Sequence, residues 1–188
     1  MSLSREAVTR ARADGGCEVL SRGGSGNPDV VRIKQGDRDV VVKDFSARGP
    51  LVRRIAPWLV AREVRAYRQL AGHPSVPRLL ARIDSLAFAL EYRPGEIMGP
   101  HLARRVPSSF LDELRVAVDA MHARGVVHLD LRHRSNTLAD ADGHPVLIDF
   151  ASALCFRPGG WAAQWILPLL ARMDLRAIEK WKRQLTAS

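Results

Sequence analysis

The sequence predicts an α+β fold, because two kinds of apolar periodicity follow one another along the chain. The first half alternates short β-branched runs with turns rich in Gly, Asn and Pro, which is typical of an antiparallel sheet. The second half places apolar residues at three- and four-residue spacing, which is typical of helices. Pro94 and Gly95 separate the two patterns, so we expect a sheet-rich domain over residues 1–92 and a mainly helical domain over residues 93–188.

Turn residues bound the strands expected in the first domain. The expected strands cover residues 17–21, 30–33, 39–43, 76–80 and 86–92. One helix is expected to begin at Pro57, because proline suits a first helical turn, and to continue to about Leu70.

The second domain is expected to hold a helix over residues 110–124, ended by Gly125. Short strands are expected near residues 126–127, 137–138 and 146–148, and two final helices over 161–173 and 175–185. A stripe at helical spacing contains Trp161, Trp165, Ile166 and Leu169. The stripe favours core packing, and the alternative is a membrane-edge or substrate-docking face.

The charge balance favours phosphate-rich partners. Lys and Arg number 29 against 20 acidic residues, a net charge of +9, which suits nucleotides, nucleic acid or an anionic membrane face. The alternative is a basic solvated surface. The polar N-terminus, two distant cysteines and the lack of a long apolar run predict a cytoplasmic protein, with peripheral contact at the inner face of the membrane left open.

Two short segments carry the residues that phosphoryl transfer from ATP requires. His128-Leu-Asp-Leu-Arg-His-Arg-Ser-Asn136 contains Asp130, and Leu147-Ile-Asp-Phe-Ala151 contains Asp149. One carboxylate can orient the attacking hydroxyl and accept its proton, which fits Asp130. A second carboxylate and an amide oxygen can hold Mg²⁺, a hard cation that prefers oxygen ligands, which fits Asp149 and Asn136.

This ordered set resembles the protein-kinase-like superfamily, with its His-x-Asp catalytic loop, downstream Asn and Asp-Phe-Gly-type turn. It is most similar to small atypical members, the RIO-type kinases and the bacterial lipopolysaccharide-core sugar kinases. The resemblance implies a two-lobed kinase-like fold with a truncated, mainly helical C-lobe, ATP and Mg²⁺ as cofactors, and transfer of the γ-phosphoryl group to a hydroxyl. The resemblance allows a lipopolysaccharide sugar, a protein Ser or another small molecule as the acceptor, which could be anionic.

The resemblance also assigns roles to residues outside the two segments. Lys43 corresponds to the lysine that binds the α- and β-phosphates of ATP, and Glu63 corresponds to its ion-pair partner. Gly24 and Gly26 lie where a phosphate-covering loop belongs, although a plain hairpin turn explains them equally well. The Glu91 carbonyl and the Arg93 amide correspond to the hinge groups that read adenine, with an edge strand as the alternative. Arg132 resembles a basic residue that steadies the phosphoryl group, and a solvated loop Arg is the alternative.

Three local departures from the family pattern keep other functions open. Asn136 lies six residues after Asp130, where five is common, and Ser135 occupies the usual place. Leu129 stands where Arg or Gly is usual, and Ala151 replaces a Gly. The shifted Asn136, Leu129 and the weak glycine match motivate one alternative, a pseudokinase that acts as a nucleotide-binding or scaffold module. The net charge of +9 motivates another, a basic nucleic-acid-binding protein. That alternative is disfavoured because the chain lacks an RNA-binding aromatic signature and zinc-finger spacing.

Overall fold

A computed structural model describes residues 3–24, 26–36 and 38–186 of the chain. It combines helices with antiparallel strands, which confirms the α+β class. The chain forms two compact units: one contains the residues up to Val64 together with Arg78–Tyr92, and the other contains Arg65–Pro77 together with the residues from Arg93 onward. The predicted domain limits at residues 92 and 93 stay a prediction.

The first unit is built on a five-stranded antiparallel sheet with strand order β1-β2-β3-β5-β4. Its elements are α1 (Arg5–Ala13), β1 (Cys17–Ser21), β2 (Asp29–Gln35), β3 (Arg38–Asp44), β4 (Leu79–Arg82) and β5 (Ala87–Glu91). Val31 and Ile33 of β2 and Val40 and Val42 of β3 alternate along their strands and bury their side chains in one core. Val8 of α1 packs against that core, so the helix covers one face of the sheet.

Helix α2 (Pro50–Gln69) begins seven residues earlier than predicted. The prediction of a start at Pro57 was wrong, because Pro50 supplies the first-turn proline and Pro57 lies inside the helix. An internal proline removes one backbone hydrogen bond, and the apolar residues buried along the helix, such as Val60 and Val64, offset this loss.

The second unit holds the remaining helices and two small sheets. Its elements are β6 (Glu96–Ile97), α3 (Phe110–Ala123), β7 (Val126–Val127), β8 (Thr137–Ala139), β9 (Pro145–Leu147), β10 (Leu154–Cys155), α4 (Trp161–Trp165) and α5 (Leu167–Thr186). Strands pair in the orders β6-β8-β9 and β10-β7, all antiparallel. Gly125 ends α3 with φ +77°, a left-handed conformation that glycine adopts without cost.

The last two helices differ from the prediction in both their break and their exposed face. The break lies at Ile166, whereas residue 174 is in the middle of α5. Trp161 and Trp165 are 72% and 73% exposed, so the predicted core packing of this stripe was wrong. The face that α5 buries instead carries Leu167, Ala171, Asp174, Ala177, Ile178 and Trp181. Among the described residues, no helix is long and apolar enough to span a bilayer.

Candidate active site

The segment that carries Asp130 leaves β7 through a strained backbone. Leu129 has φ +69°, a left-handed conformation that a residue with a Cβ adopts at a cost of about 1–2 kcal/mol. In a kinase-like loop, Arg or Gly is usual at this position. The Leu side chain does not favour a left-handed backbone. Other contacts must therefore hold the loop in this shape.

Those contacts come from Asp174 in the middle of α5, which is fully buried. One of its carboxylate oxygens accepts hydrogen bonds from the His128 amide at 2.9 Å and from His122 Nε2 at 2.9 Å. The other oxygen accepts from the Leu129 amide at 2.8 Å. One carboxylate thus accepts hydrogen bonds from two successive loop amides, which fixes the backbone of the two residues that precede Asp130. Sequence reasoning missed this residue, because a single Asp within a helix gives no signal of backbone partners elsewhere in the chain.

His128 connects the same loop to the strand that leads to Asp149. Its Nε2 lies 3.0 Å from the Ile148 carbonyl oxygen, and its Nδ1 lies 3.3 Å from the Asp130 amide nitrogen. Because a carbonyl only accepts and an amide only donates, the ring must be neutral with its proton on Nε2. Burial lowers the pKa of His128, outweighing the opposing effect of the Ile148 carbonyl and nearby carboxylates, which agrees with the neutral form.

Asp130 and Asn136 meet directly, despite the extra residue between them. Asn136 Nδ2 donates to the Asp130 carbonyl oxygen and to Asp130 Oδ2, both at 2.9 Å. Asn136 is buried, whereas Asp130 is partly exposed and so accessible to a substrate hydroxyl. The amide of Asn136 therefore orients the carboxylate that we predicted to act as the base.

The turn at Asp149 is a second left-handed position, with φ +62°. Phe150 follows it and is buried between His128, at a ring-centroid distance of 4.8 Å, and Tyr67, at 5.0 Å. The Ile148 amide also donates to the Asn136 carbonyl oxygen at 3.0 Å. The aromatic packing and this backbone bond fix the strand end from which Asp149 projects.

The donor set at these two segments fits Mg²⁺. With Nδ2 of Asn136 committed to Asp130, its Oδ1 is left as an acceptor, and it receives a bond from Ser135 Oγ at 3.2 Å. Asp149 adds a partly exposed carboxylate. A carboxylate and an amide oxygen are the kinds of ligand that Mg²⁺ takes together with substrate phosphates. In the described ranges, no group of three or more His, Cys, Asp or Glu side chains is arranged to hold a metal by itself.

In the first unit, Lys43 and Glu63 form a buried ion pair. Lys43 Nζ lies 2.7 Å from Glu63 Oε1, and their side chains are 7% and 4% exposed. Desolvating two charges costs several kcal/mol per ion, so such a pair is weak evidence for stability. Its position on β3 and α2 is the one that the kinase resemblance implies.

The loop with Gly24 and Gly26 is held by ionic contacts from its own unit. The Asp29 carboxylate accepts from the Gly23 amide at 3.1 Å and pairs with the Arg48 guanidinium. Arg48 also donates to the Gly24 carbonyl oxygen at 2.9 Å. The carboxylate of Asp29, at the end of this loop, therefore occupies one loop amide. No Cβ contact restricts Gly24 or Gly26, so steric crowding does not explain either glycine.

The remaining predicted residues lie at element ends. Glu91 ends β5, and its carboxylate accepts from Arg78 Nε at 3.2 Å. Arg93 donates to the Pro74 carbonyl oxygen at 3.2 Å and lies 3.9 Å from Asp140. Arg132 is exposed two residues after Asp130. The adenine-reading and phosphoryl-steadying roles of these residues stay predictions.

Comparison with known proteins finds relatives among the kinases. The chain is similar to serine/threonine protein kinases. It is 32% identical to serine/threonine-protein kinase WAG1 of Arabidopsis thaliana over 142 residues, which cover 70% of the chain. It is 28% identical to serine/threonine-protein kinase sck2 of Schizosaccharomyces pombe over 71% of the chain. It is 29% identical to the putative ribosomal protein S6 kinase alpha-2 of Caenorhabditis elegans over 75% of the chain. No protein-family model matches the chain.

These similarities support a place in the protein-kinase-like superfamily. The chain spans 27%, 22% and 20% of the lengths of these three curated relatives. None of the three is named a RIO-type or lipopolysaccharide kinase, so that finer part of the resemblance stays a prediction.

Proposed function

We propose that the chain is an ATP- and magnesium-dependent kinase that transfers the γ-phosphoryl group to a Ser or Thr hydroxyl of a protein. The observation that carries the proposal is the direct contact of Asn136 with Asp130 on a loop whose backbone Asp174 holds. The serine/threonine kinases to which the chain is similar favour a protein acceptor over a lipopolysaccharide sugar. A two-lobed kinase fold with a truncated C-lobe belongs to this proposal.

In the proposed reaction, Asp130 accepts the proton of the attacking hydroxyl as that oxygen bonds to the γ-phosphorus. The bond between the γ-phosphorus and the bridging oxygen to the β-phosphate breaks in the same transfer, and ADP leaves. The hydrogen bonds from Asn136 Nδ2 hold the Asp130 carboxylate in one orientation, which keeps an acceptor oxygen available. Asn136 Oδ1 and the Asp149 carboxylate would hold Mg²⁺, which neutralises charge on the phosphates when bound. Lys43, kept extended by Glu63, would contact the α- and β-phosphates.

The test is transfer of labelled phosphate from ATP to a degenerate Ser/Thr peptide mixture and to the chain itself. Asp130→Asn should reduce the rate by about 10²–10⁴, the usual contribution of a general base. Asp149→Asn should give a comparable loss. Asp142→Asn, an exposed carboxylate in the β8–β9 turn, is the matched control and should retain full activity. Activity that survives in both Asp130→Asn and Asp149→Asn would overturn the assignment.

One observation favours a pseudokinase that acts as a scaffold module as the second candidate. The Gly23 amide donates to the Asp29 carboxylate, whereas in a phosphate-covering loop this amide would donate to ATP. The discriminating measurement is thermal unfolding with ATP, with and without Mg²⁺, because a ligand of the folded state alone must raise stability. A Tm increase without phosphoryl transfer indicates a nucleotide-binding module, and no increase indicates a scaffold.

A further inference from the structure

Helix α5 lies directly beside the catalytic loop. Lys180 Nζ donates to the Arg132 carbonyl oxygen at 2.9 Å, and Trp181 Nε1 donates to the Leu131 carbonyl oxygen at 3.1 Å. The Trp181 side chain is buried, so this contact is a fixed part of the second unit. Side chains on the neighbouring turns of α5 therefore have a defined position relative to the residues that follow Asp130.

Two adjoining cavities open along this contact and share Arg132, Lys180 and Gln184. One has a volume of about 570 Å³ and is also lined by Arg176, Glu179 and Arg183. The other has a volume of about 420 Å³ and is also lined by His133 and Arg134 of the loop. We call the two cavities together the basic groove.

Cations outnumber acids in the groove by five to one. The acidic residue in its lining is Glu179. The basic residues in its lining are Arg132, Arg134, Arg176, Lys180 and Arg183. Arg176, Lys180 and Arg183 recur at four- and three-residue spacing, so they share one face of α5 and repel one another.

The arginines of the basic groove form no ion pair within the part of the chain that the structure describes. Arg105 and Arg115 of the same unit, by contrast, pair with Glu96 at 2.6 Å and with Asp119 at 2.8 Å. A cluster of five cations with one acidic side chain, beside the loop that carries Asp130, is an arrangement that an anionic substrate would complete.

We propose that the basic groove binds acidic side chains that flank the Ser or Thr hydroxyl of the acceptor peptide. This inference rests on the proposed kinase function and specifies its substrate class. Arg132 is two residues from Asp130, so its Cα lies within about 7 Å of that of Asp130. An extended peptide advances about 3.3 Å per residue, so a carboxylate one to three residues from the hydroxyl reaches the groove.

Single-stranded nucleic acid fits the groove less well. Such ligands bind by stacking their bases on exposed aromatic rings as well as by phosphate contacts. The indole ring that lines the groove belongs to Trp181, which is 3% exposed and donates its N–H to a backbone oxygen. The exposed ring is the small imidazole of His133, whose Nδ1 lies 2.6 Å from Ser135 Oγ. The groove thus offers many charges and little aromatic surface for stacking, which suits carboxylates of a short peptide.

The first experiment measures binding without nucleotide, by fluorescence anisotropy of three labelled peptides. Each contains one Ser, flanked by Asp in the first, by Asn in the second and by Lys in the third. We expect the Asp peptide to bind at least about tenfold more tightly than the Asn peptide, and the preference to weaken as salt rises. Equal affinities for the three peptides would overturn the proposal, as would tighter binding of a labelled single-stranded RNA of the same charge.

A matched pair of variants localises the effect. The double variant Arg176→Glu with Arg183→Glu should lose at least about tenfold in affinity for the Asp peptide, whereas replacing both by Lys should retain most of it. Arg53→Glu with Arg54→Glu makes the same change in net charge on exposed positions of α2 and should bind as the unchanged chain does. Equal losses in both Glu double variants would show a net-charge effect and refute the groove.

Phosphoryl transfer to the same peptides separates the two proposals. If the groove acts on substrate, the Arg176→Glu with Arg183→Glu variant raises KM for the Asp peptide and leaves kcat nearly unchanged. Selective, salt-sensitive binding with no transfer to any peptide would support the groove and reject the kinase. Transfer to the Asn peptide as efficient as to the Asp peptide would support the kinase and reject the groove.

Discussion

Replacing Asp174 by Asn tests whether one buried carboxylate holds the loop that carries Asp130. The change keeps the shape of the side chain and removes its charge and one acceptor oxygen. The Asn side chain has two orientations, and its NH₂ group faces the His128 amide in the first and the Leu129 amide in the second. In both orientations two hydrogen-bond donors face each other. The second orientation is the better one, because it preserves the bonds from His128 and His122.

The size of the effect follows from these three bonds. The lost bond from the Leu129 amide is worth about 1.5–3 kcal/mol, because its acceptor is charged. The two surviving bonds become neutral and weaken by about 1 kcal/mol each. We therefore expect the free energy of unfolding to fall by about 3–5 kcal/mol, a large part of the ordinary stability of a domain.

The assay is urea unfolding followed by tryptophan fluorescence, in which the buried Trp181 reports on the same helix. Amide hydrogen exchange gives a local readout, since the Leu129 amide should exchange faster in the Asn variant. The control is Asp119→Asn on α3, whose exposed pair with Arg115 is worth about 0.3–0.5 kcal/mol. A loss in Asp174→Asn no larger than in the control, or unchanged exchange at Leu129, would refute the role given to this carboxylate.

Three further outcomes are expected. Lys43→Met should lower the unfolding free energy by about 3–5 kcal/mol, because it removes the ammonium group that lies 2.7 Å from the buried Glu63 carboxylate. Adding Glu63→Leu should recover much of that loss in the same urea assay, and no recovery would contradict this. The lowered pKa of His128 means that the unfolded chain, with an ordinary value of 6.5, binds a proton that the folded chain does not. Stability should therefore fall as pH drops below about 6.5, and urea midpoints that do not change between about pH 7.5 and about pH 5.5 would argue against this. Gly125→Ala should lower the free energy of unfolding by about 1–2 kcal/mol or more, because φ is +77° and the new methyl would lie 2.5 Å from the Phe156 carbonyl oxygen. A Tm within error of that of the unchanged chain would contradict this prediction.

The strands of the first unit were predictable because local signals specify them. Residues 17–21 match β1 as found, and β2 and β3 differ from the prediction by one or two residues at their ends. Glycine, asparagine and proline between β-branched runs leave few alternatives for the chain. The start of α2 was not predictable in the same way, because Pro50 and Pro57 carry the same local signal and only packing decides between them.

Contacts between distant segments account for what sequence reasoning missed in the second unit. Asp174 bonds to amides of residues 128 and 129, and no periodicity marks a carboxylate whose partners are backbone groups. The stripe of Trp161, Trp165 and Leu169 has the spacing of a buried face, yet α5 buries the face with Ala171 and Trp181 instead. Spacing identifies a helix face but does not say which face the rest of the unit covers.

The spacing between Asp130 and Asn136 has a physical explanation in two successive three-residue turns. The His133 amide donates to the Asp130 carbonyl oxygen at 3.2 Å, and the Asn136 amide donates to the His133 carbonyl oxygen at 3.1 Å. A continuous 3₁₀ helix would carry residue 136 about 12 Å away from residue 130, since each residue rises about 2 Å. His133 is extended instead, with φ −76° and ψ 123°, so the second turn folds back and returns Asn136 to the Asp130 side chain. With a spacing of six residues, this folded-back path brings the Asn136 side-chain amide to the Asp130 carboxylate. Ser135, five residues after Asp130, instead bonds to His133 and Asn136 within the turn.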